Sequence, residues 1–345
     1  MAIGIMGIGI GVVGCGRISK THFDAITRVP GLRLAGCCDI VEGRARSAAK
    51  THSIPYWNTR IESLLEHPDV DLVSICTPSG LHPSQGILAA QKGKDVLTEK
   101  PMGLSTDDAD GLIKVCRDNG VRLFVVLQNR FNPAIQLVKR AIDAGRFGKL
   151  HMIVANVFWT RPQEYYDLAP WRGTWAMDGG AFCNQASHYV DLVQWFGGPV
   201  ASVTAQTATL ARRIEAEDTG SAILRFRSGC IGTLNVTMLT YPENLEGSIT
   251  IIGETGTVRV GGIAVNQILD WRFDCIHEDD LLVESASNKP DSVYGFGHAA
   301  FYQSVRDSIL GNRPPVIDGL EGRASLEIIQ GIYQSNKLQK SVQLG

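Results

Sequence analysis

Lys100, followed at once by Pro101, and His188, four residues after Asn184, are of types that can handle a proton and the charge it leaves behind. A histidine with an ordinary pKa near 6.5 serves as a base at neutral pH, and an ammonium steadies a developing oxyanion. Far ahead of both stands a glycine-rich opening, GIMGIGIGVVGCGRIS at 4–19, with two overlapping candidates for a nucleotide-binding turn. Gly9-Ile10-Gly11-Val12-Val13-Gly14 fits G-x-G-x-x-G to the letter. Gly14-Cys15-Gly16-Arg17-Ile18-Ser19 lacks only the last glycine.

A dinucleotide turn must follow a buried strand and open a helix, so that backbone N–H groups face the pyrophosphate. The literal match needs a strand over Met1–Ile8, broken by Gly4 and Gly7, and a helix with Gly14 and Gly16 in its first turn. Each of those glycines costs about 1 kcal/mol against alanine. The second match follows Val12-Val13 and precedes a glycine-free segment, apolar at 18, 22/23 and 26, as a helix is. We therefore assign the turn to Gly14–Ser19, with Gly14, Gly16, Arg17 and Ile18 as cofactor contacts and small Ser19 allowing close helix–strand packing. On this assignment Gly9→Ala leaves NAD binding nearly untouched. Leu32–Asp39 reads as a second strand ending in an acid. There a carboxylate accepts from the adenosine ribose hydroxyls and repels a 2′-phosphate, favouring NAD over NADP. Arg44 and Arg46 lie a little further on and keep NADP open.

These residues need a frame. The first third alternates strands and helices, as a parallel doubly wound sheet requires: helix 42–51, strand 70–76, helix 83–92, strand 95–98, helix 105–119 capped by Ser105, and strand 122–127. Beyond 128, a helix at 133–144 leads into β-type segments at 149–159, 201–211, 219–227, 230–240 and 247–260, with helices near 298–311 and 319–337. Few helices separate those segments, so a largely antiparallel open sheet is expected. The fold class is α/β: an N-terminal Rossmann domain over 1–127, then an α+β domain over 128–345, its C-terminal helices free to pack back on the first.

A net charge of −2 with both signs dispersed offers no basic patch for nucleic acid and no polybasic membrane anchor. The uncharged stretch Leu72–Gln91 contains two prolines, a histidine, serines and glutamines, unlike a membrane span. The first basic residue is Arg17, so no secretory signal with a charged start is read. Eight cysteines without a C-x-x-C motif read as buried free thiols, with no metal site. The expectation is a soluble cytoplasmic protein.

Three further stretches complete a pattern: Cys76-Thr77-Pro78-Ser79-Gly80-Leu81-His82, Glu99-Lys100-Pro101, and Gly179-Gly180-Ala181-Phe182-Cys183-Asn184-Gln185-Ala186-Ser187-His188 continuing to Asp191. With the glycine turn they resemble the glucose–fructose oxidoreductase/inositol dehydrogenase (Gfo/Idh/MocA) family over essentially the whole chain. Asn129-Arg130-Phe131-Asn132-Pro133, Phe158–Tyr166 and Trp171-Arg172-Gly173-Thr174-Trp175 narrow the likeness. They resemble bacterial 3-dehydrogenases acting on UDP-N-acetylglucosaminuronic acid in lipopolysaccharide O-antigen synthesis. The resemblance implies oxidation of the sugar C3 hydroxyl to a ketone with NAD as hydride acceptor. It also implies bound NADH reoxidised by 2-oxoglutarate, and a homotetramer built through the second domain's open sheet.

Carried over residue by residue, the resemblance makes Lys100 the contact to the reacting hydroxyl and nicotinamide ribose. His188 becomes the proton acceptor. Thr77, Pro78, His82, Glu99 and Gln128 become cofactor contacts. Asn184 departs from the aspartate many relatives carry; an amide takes no proton, so it orients substrate or histidine, and Asn184→Asp is expected to keep much of the activity. Asp191 matches a recurring family aspartate. A UDP-uronate brings a diphosphate and a carboxylate, both suited to planar guanidinium donors, so Arg130, Arg161 and Arg172 are the candidates. Tyr165, Tyr166 and Trp171 are candidates to pack on uracil or sugar. Two alternatives stand beside this reading: a dehydrogenase of a free sugar or inositol, and a non-catalytic NAD-binding regulator.

Overall fold

The computed structural model describes residues 7–262, 264–287 and 297–345. The chain forms two compact units. The first comprises residues up to Val126 together with His298–Arg323; the second comprises Leu127–Gly297 with Ala324–Gly345.

The first unit is built on a six-stranded parallel sheet of β1 (Ile8–Val13), β2 (Leu32–Cys38), β3 (Trp57–Asn58), β4 (Leu72–Ile75), β5 (Asp95–Thr98) and β6 (Leu123–Val125), in the order β3-β2-β1-β4-β5-β6. Every residue of β1 and β4 is buried, which is why both read as mainly apolar runs, with Ser74 the polar exception in β4. The crossovers carry α1 (Ser19–Arg28), α2 (Glu42–His52), α3 (Ile61–Leu65), α4 (His82–Gln91) and α5 (Thr106–Asp118). Ser105 caps α5, accepting the Asp108 N–H at 3.1 Å, as its sequence signature requires. Sheet growth reverses direction between β1 and β4, and ligands of such sheets bind at the carboxyl ends beside that reversal.

The literal glycine match does not form a turn: Gly9 and Gly11 lie inside β1, in register with β2 and, for Gly11, with β4. Its expected strand over Met1–Ile8 falls mostly outside the described residues. A Cβ on Gly9 would sit 1.8 Å from the Asp69 carbonyl oxygen. Gly9→Ala is therefore a packing lesion, a cost to stability distinct from the small effect expected on NAD binding.

The second unit carries a mixed eight-stranded sheet: β7 (Leu150–Phe158), β8 (Val200–Ala208), β9 (Thr219–Phe226), β10 (Ile231–Thr237), β11 (Glu246–Gly253), β12 (Gly256–Gly261), β13 (Gln267–Phe273) and β14 (Val342–Gln343), in the order β13-β12-β11-β7-β10-β9-β8-β14. Only β7 and β10 run parallel; the other neighbours are antiparallel. The segment 247–260, expected as one strand, is the hairpin β11–β12, turned at Glu254-Thr255. Its helices are α6 (Pro133–Asp143), α7 (Gln163–Asp167), α8 (Ser187–Gly197) and α9 (Val283–Ala286). Two more helices follow, α10 (Gly297–Leu310) and α11 (Gly319–Leu338). Among the described residues, no helix is long and apolar enough to cross a membrane.

Candidate active site

In the first unit the chain leaves β1 at Gly14, whose φ of +90° is strained for any other residue, and whose Cβ would meet the Cys76 carbonyl at 2.8 Å. Gly16 has nothing within 4 Å of its would-be Cβ, so the backbone there borders open space. Arg17 is exposed and Ile18 half-buried. Among the described residues no side chain caps the start of α1, whose first N–H groups lack the partner a helix end needs. Asp39, just past β2, accepts the Cys15 N–H at 2.9 Å and the Val41 N–H at 2.8 Å, which anchors its carboxylate beside this turn. An accessible glycine backbone, unmet helix N–H groups and an adjacent carboxylate fit a dinucleotide's pyrophosphate and ribose. Thr77 and Pro78 stand past the carboxyl end of β4, and Thr77 donates to Gln85 at 2.7 Å.

Lys100 is half-buried two residues past β5, and its bond to Pro101 is cis. Behind it lies a buried polar network. Glu99 Oε2 accepts the Lys100 N–H at 3.1 Å, and Glu99 Oε1 meets His22 Nε2 at 2.8 Å. His22 Nδ1 contacts the Tyr302 hydroxyl at 2.7 Å, and Ser74 contacts both. Burial opposes charge on Glu99, but hydrogen bonds and charge from His22 and His298 outweigh it and hold the carboxyl well below its usual range. His22 is likewise opposed by burial, yet Cys76, Tyr302 and Glu99 together hold it well above 6.5; of these Glu99 is the carboxylate. Burial and the neighbouring His22 push His298 down. His22, Glu99 and His298 are of metal-binding types with ligand atoms within 4.8 Å of one another. Both ring nitrogens of His22 are engaged by side chains, Nε2 by Glu99 and Nδ1 by Tyr302 and Ser74, so the cluster braces itself. Glu99 is thus turned inward as a support for Lys100. His82 is held in a comparable way. It is buried, with one ring nitrogen 2.7 Å from the Pro101 carbonyl and the other 2.8 Å from that of Thr77.

In the second unit His188 lies in the first turn of α8, half-exposed, while Asn184 sits in the turn before the helix. Gln128, expected at the cofactor, is buried with its Nε2 3.2 Å from His188 Nε2. An amide N–H there donates to a ring lone pair. Gln128 Oε1 is buried without a hydrogen-bond partner among the described residues, and the same amide turned over would accept from a protonated Nε2. Gln128 is therefore equipped to hold His188 in either protonation state.

Arg130 is buried and forms a bidentate pair with Asp191, Nε to Oδ2 at 2.9 Å and Nη2 to Oδ1 at 2.6 Å, with its guanidinium 5.0 Å from the Trp195 ring. That pair engages one edge of the guanidinium and gives Asp191 its role. The other two arginines converge. Arg161 lies over Tyr165 at 5.4 Å and over Trp159 at 5.1 Å; Arg172 lies over Tyr165 at 4.4 Å and Trp171 at 4.6 Å. Arg172 Nε is buried with no hydrogen-bond partner among the described residues. Two guanidiniums on one tyrosine repel, and an anion between them relieves that repulsion. Tyr166 is buried beneath Tyr165, edge-on at 5.1 Å, so it supports the cluster from below.

Two carboxylates were missed by sequence reasoning. Asp178, 1% exposed, accepts the side-chain N–H of Asn184 through Oδ1 and the Gly173 N–H at 2.7 Å through Oδ2. Glu217, 3% exposed, accepts the Phe182 N–H at 2.9 Å and the Tyr333 hydroxyl at 3.0 Å. Burial pushes Glu217 up to about 7, against hydrogen bonds that pull it down. Asp178 had one local signal, its position just before the Gly179-Gly180 pair; Glu217 had none.

Comparison with known proteins places these features. A profile described as an oxidoreductase family, NAD-binding Rossmann fold, matches residues 8–127, and its companion, the C-terminal alpha/beta domain of an oxidoreductase family, matches residues 139–344. The chain is 51% identical to the WlbA dehydrogenase from Bordetella pertussis, solved in complex with NADH and UDP-GlcNAcA, with a TM-score of 0.95 over 98% of both chains. It is 48% identical to the WlbA dehydrogenase from Chromobacterium violaceum, solved with the same two molecules, with a TM-score of 0.93 over 98% of this chain and 96% of that one. The scyllo-inositol 2-dehydrogenase (NAD(+)) of Bacillus subtilis is 26% identical over 343 residues, covering 96% of this chain and 94% of the relative.

Proposed function

The chain belongs to the Gfo/Idh/MocA family of NAD-binding oxidoreductases, and from that membership we propose that it oxidises the C3 hydroxyl of UDP-N-acetylglucosaminuronic acid to a ketone. The observation that carries the reading is its identity, 51% across 98% of both chains, to a dehydrogenase crystallised with NADH and UDP-GlcNAcA. The Arg161–Tyr165–Arg172 cluster supports it, since a free sugar or inositol has no anion to set between two guanidiniums. Lys100 and His188 are both present, which disfavours a non-catalytic regulator.

In this reading His188 accepts the proton of the C3 hydroxyl through its neutral ring, and Lys100 stabilises the developing alkoxide. NAD, when bound, supplies the hydride acceptor. Gly14, Gly16 and the start of α1 hold its pyrophosphate, and Asp39 its adenosine ribose. Arg161 and Arg172 hold the anionic groups of the sugar nucleotide, with Tyr165 and Trp171 packing on its rings.

The finer context belongs to the same proposal. The protein works in the cytoplasm on the route to lipopolysaccharide O-antigen, and NADH that stays bound is reoxidised by 2-oxoglutarate. It assembles as a homotetramer through the open sheet. Met152 is in register with Ile231 on one side and Ile252 on the other, all on one face, and all three are exposed, as is Ile223 on the same face. Mass spectrometry of the purified protein, released from its ligands, is expected to show NADH and a UDP-sugar. A homogeneous NADP complement, or a free polyol, would contradict the assignment.

A further inference from the structure

The buried carboxylate of Asp178 stands one hydrogen bond behind Asn184, and its geometry ties together two of the segments on which the proposed site depends. One oxygen takes the Asn184 side-chain N–H; the other takes the Gly173 N–H at 2.7 Å, next to Arg172. The backbone around it closes the same knot. The Asp178 and Gly179 N–H groups both donate to the Thr174 carbonyl, at 3.1 and 2.9 Å, and the Asn184 N–H donates to the Gly180 carbonyl at 2.9 Å. The Asn184 carbonyl in turn accepts the Ser187 hydroxyl at 3.2 Å, at the start of the helix that carries His188.

We propose that Asp178 is a positioning residue for the reaction, and that it sets the chemical identity required at position 184: a side chain that donates, hence an amide. An amide held through its nitrogen has its carbonyl fixed in direction, so Asn184 presents an acceptor of defined orientation to the substrate. A carboxylate at 184 would put two like charges at hydrogen-bond distance in a site where Asp178 is 1% exposed. One of the two would then stay protonated well above its usual range. The expectation that Asn184→Asp is mild is revised accordingly. Asp178 touches Asn184 and backbone, and it acts through them on the substrate and on the approach to His188.

The inference rests on the proposed dehydrogenase reading, and reciprocal exchange tests it. Single-turnover hydride transfer from UDP-N-acetylglucosaminuronic acid is measured in wild type, Asp178→Asn, Asn184→Asp and the double exchange, between pH 6 and 9. Each single variant is expected to lose roughly tenfold to a hundredfold in rate, the range for a displaced positioning group. NAD affinity stays unchanged. Asn184→Asp should regain rate toward low pH relative to wild type, because protonation restores a donor to the pair. The double exchange reverses the donor and acceptor and should return most of the loss. A double variant no better than the worse single, or an Asn184→Asp enzyme with near-normal rate and the wild-type pH profile, overturns the proposal. If wild type itself transfers no hydride from this sugar, the functional reading fails, and the pairing is then decided by melting temperature. A cost of Asn184→Asp that grows with pH and vanishes in the double exchange keeps it; a cost independent of pH overturns it.

Discussion

Replacing Glu217 by glutamine should stabilise the protein, and by an amount set by pH alone. The glutamate is buried behind the Gly180–Phe182 segment, so close that a Cβ on Gly180 would lie 1.6 Å from its Oε2. That oxygen has no hydrogen-bond partner among the described residues. Burial chiefly, with help from the neighbouring Asp218, raises the carboxyl from 4.5 to about 7. Because the folded value is the higher one, the folded state binds more protons than the unfolded state between those limits, and stability falls as pH rises through that window. At about 1.4 kcal/mol per pH unit the loss reaches roughly 3 kcal/mol above pH 7. Glutamine keeps the shape and cannot ionise. For a unit of this size, about 2–4 °C per kcal/mol makes this roughly 6–12 °C in melting temperature. Thermal unfolding of wild type and Glu217→Gln from pH 4.5 to 8.5 reads it out. The difference between the two should shift in favour of glutamine up to about pH 7 and then stay level. A difference that is the same at both ends refutes the argument that burial governs this group.

Gly16→Ala should fold normally, because its Cβ meets nothing, yet lose NAD affinity by at least about tenfold as the methyl enters the pyrophosphate's place. Gly9→Ala should do the opposite, lowering melting temperature before it touches affinity; equilibrium NAD titration and a melting curve separate them. The His22–Glu99 pair should stabilise most between pH 4.5 and 6.5. Glu99 is held below its usual value and loses its contribution as pH falls through the lowered one. His22 is held above 6.5 and loses its contribution as pH rises through the raised one. The deficit of His22→Gln in urea unfolding should therefore shrink at pH 9 relative to pH 6; an unchanged deficit would contradict the ion pair.

The Rossmann half was legible because its signals are local. Apolar runs gave buried strands, Ser105 gave a helix start, and a glycine-free segment separated the true turn from the literal match, whose Gly9 and Gly11 lie inside β1. In the second half the hairpin at Glu254-Thr255 was missed, although Gly253 and Gly256 flank it and the buried apolar alternation slips by one residue across it, from Ile249 and Ile251 to Val258 and Val260. Site residues were legible by type and less so by partner. Arg130 was legible as an anion-type donor, but its pairing with Asp191, 61 residues away, was not. Glu99 stands beside Lys100 in sequence, yet His22, 77 residues away, turns it inward. Asp178 and Glu217 gain their meaning only from the backbone N–H groups that tertiary folding brings to them. Such pairings leave no periodic trace in a single sequence.

The central claim is that this chain oxidises a UDP-uronate with His188 as its proton acceptor, and single-turnover hydride transfer with that sugar tests it most directly. Wild type loaded with NAD should reduce it, with a rate that falls as pH drops and the ring becomes protonated. His188→Ala should retain the cofactor and transfer hydride about 10²–10⁴-fold more slowly, the range for a lost general base. A His188→Ala protein that transfers hydride at a near-normal rate would contradict the account.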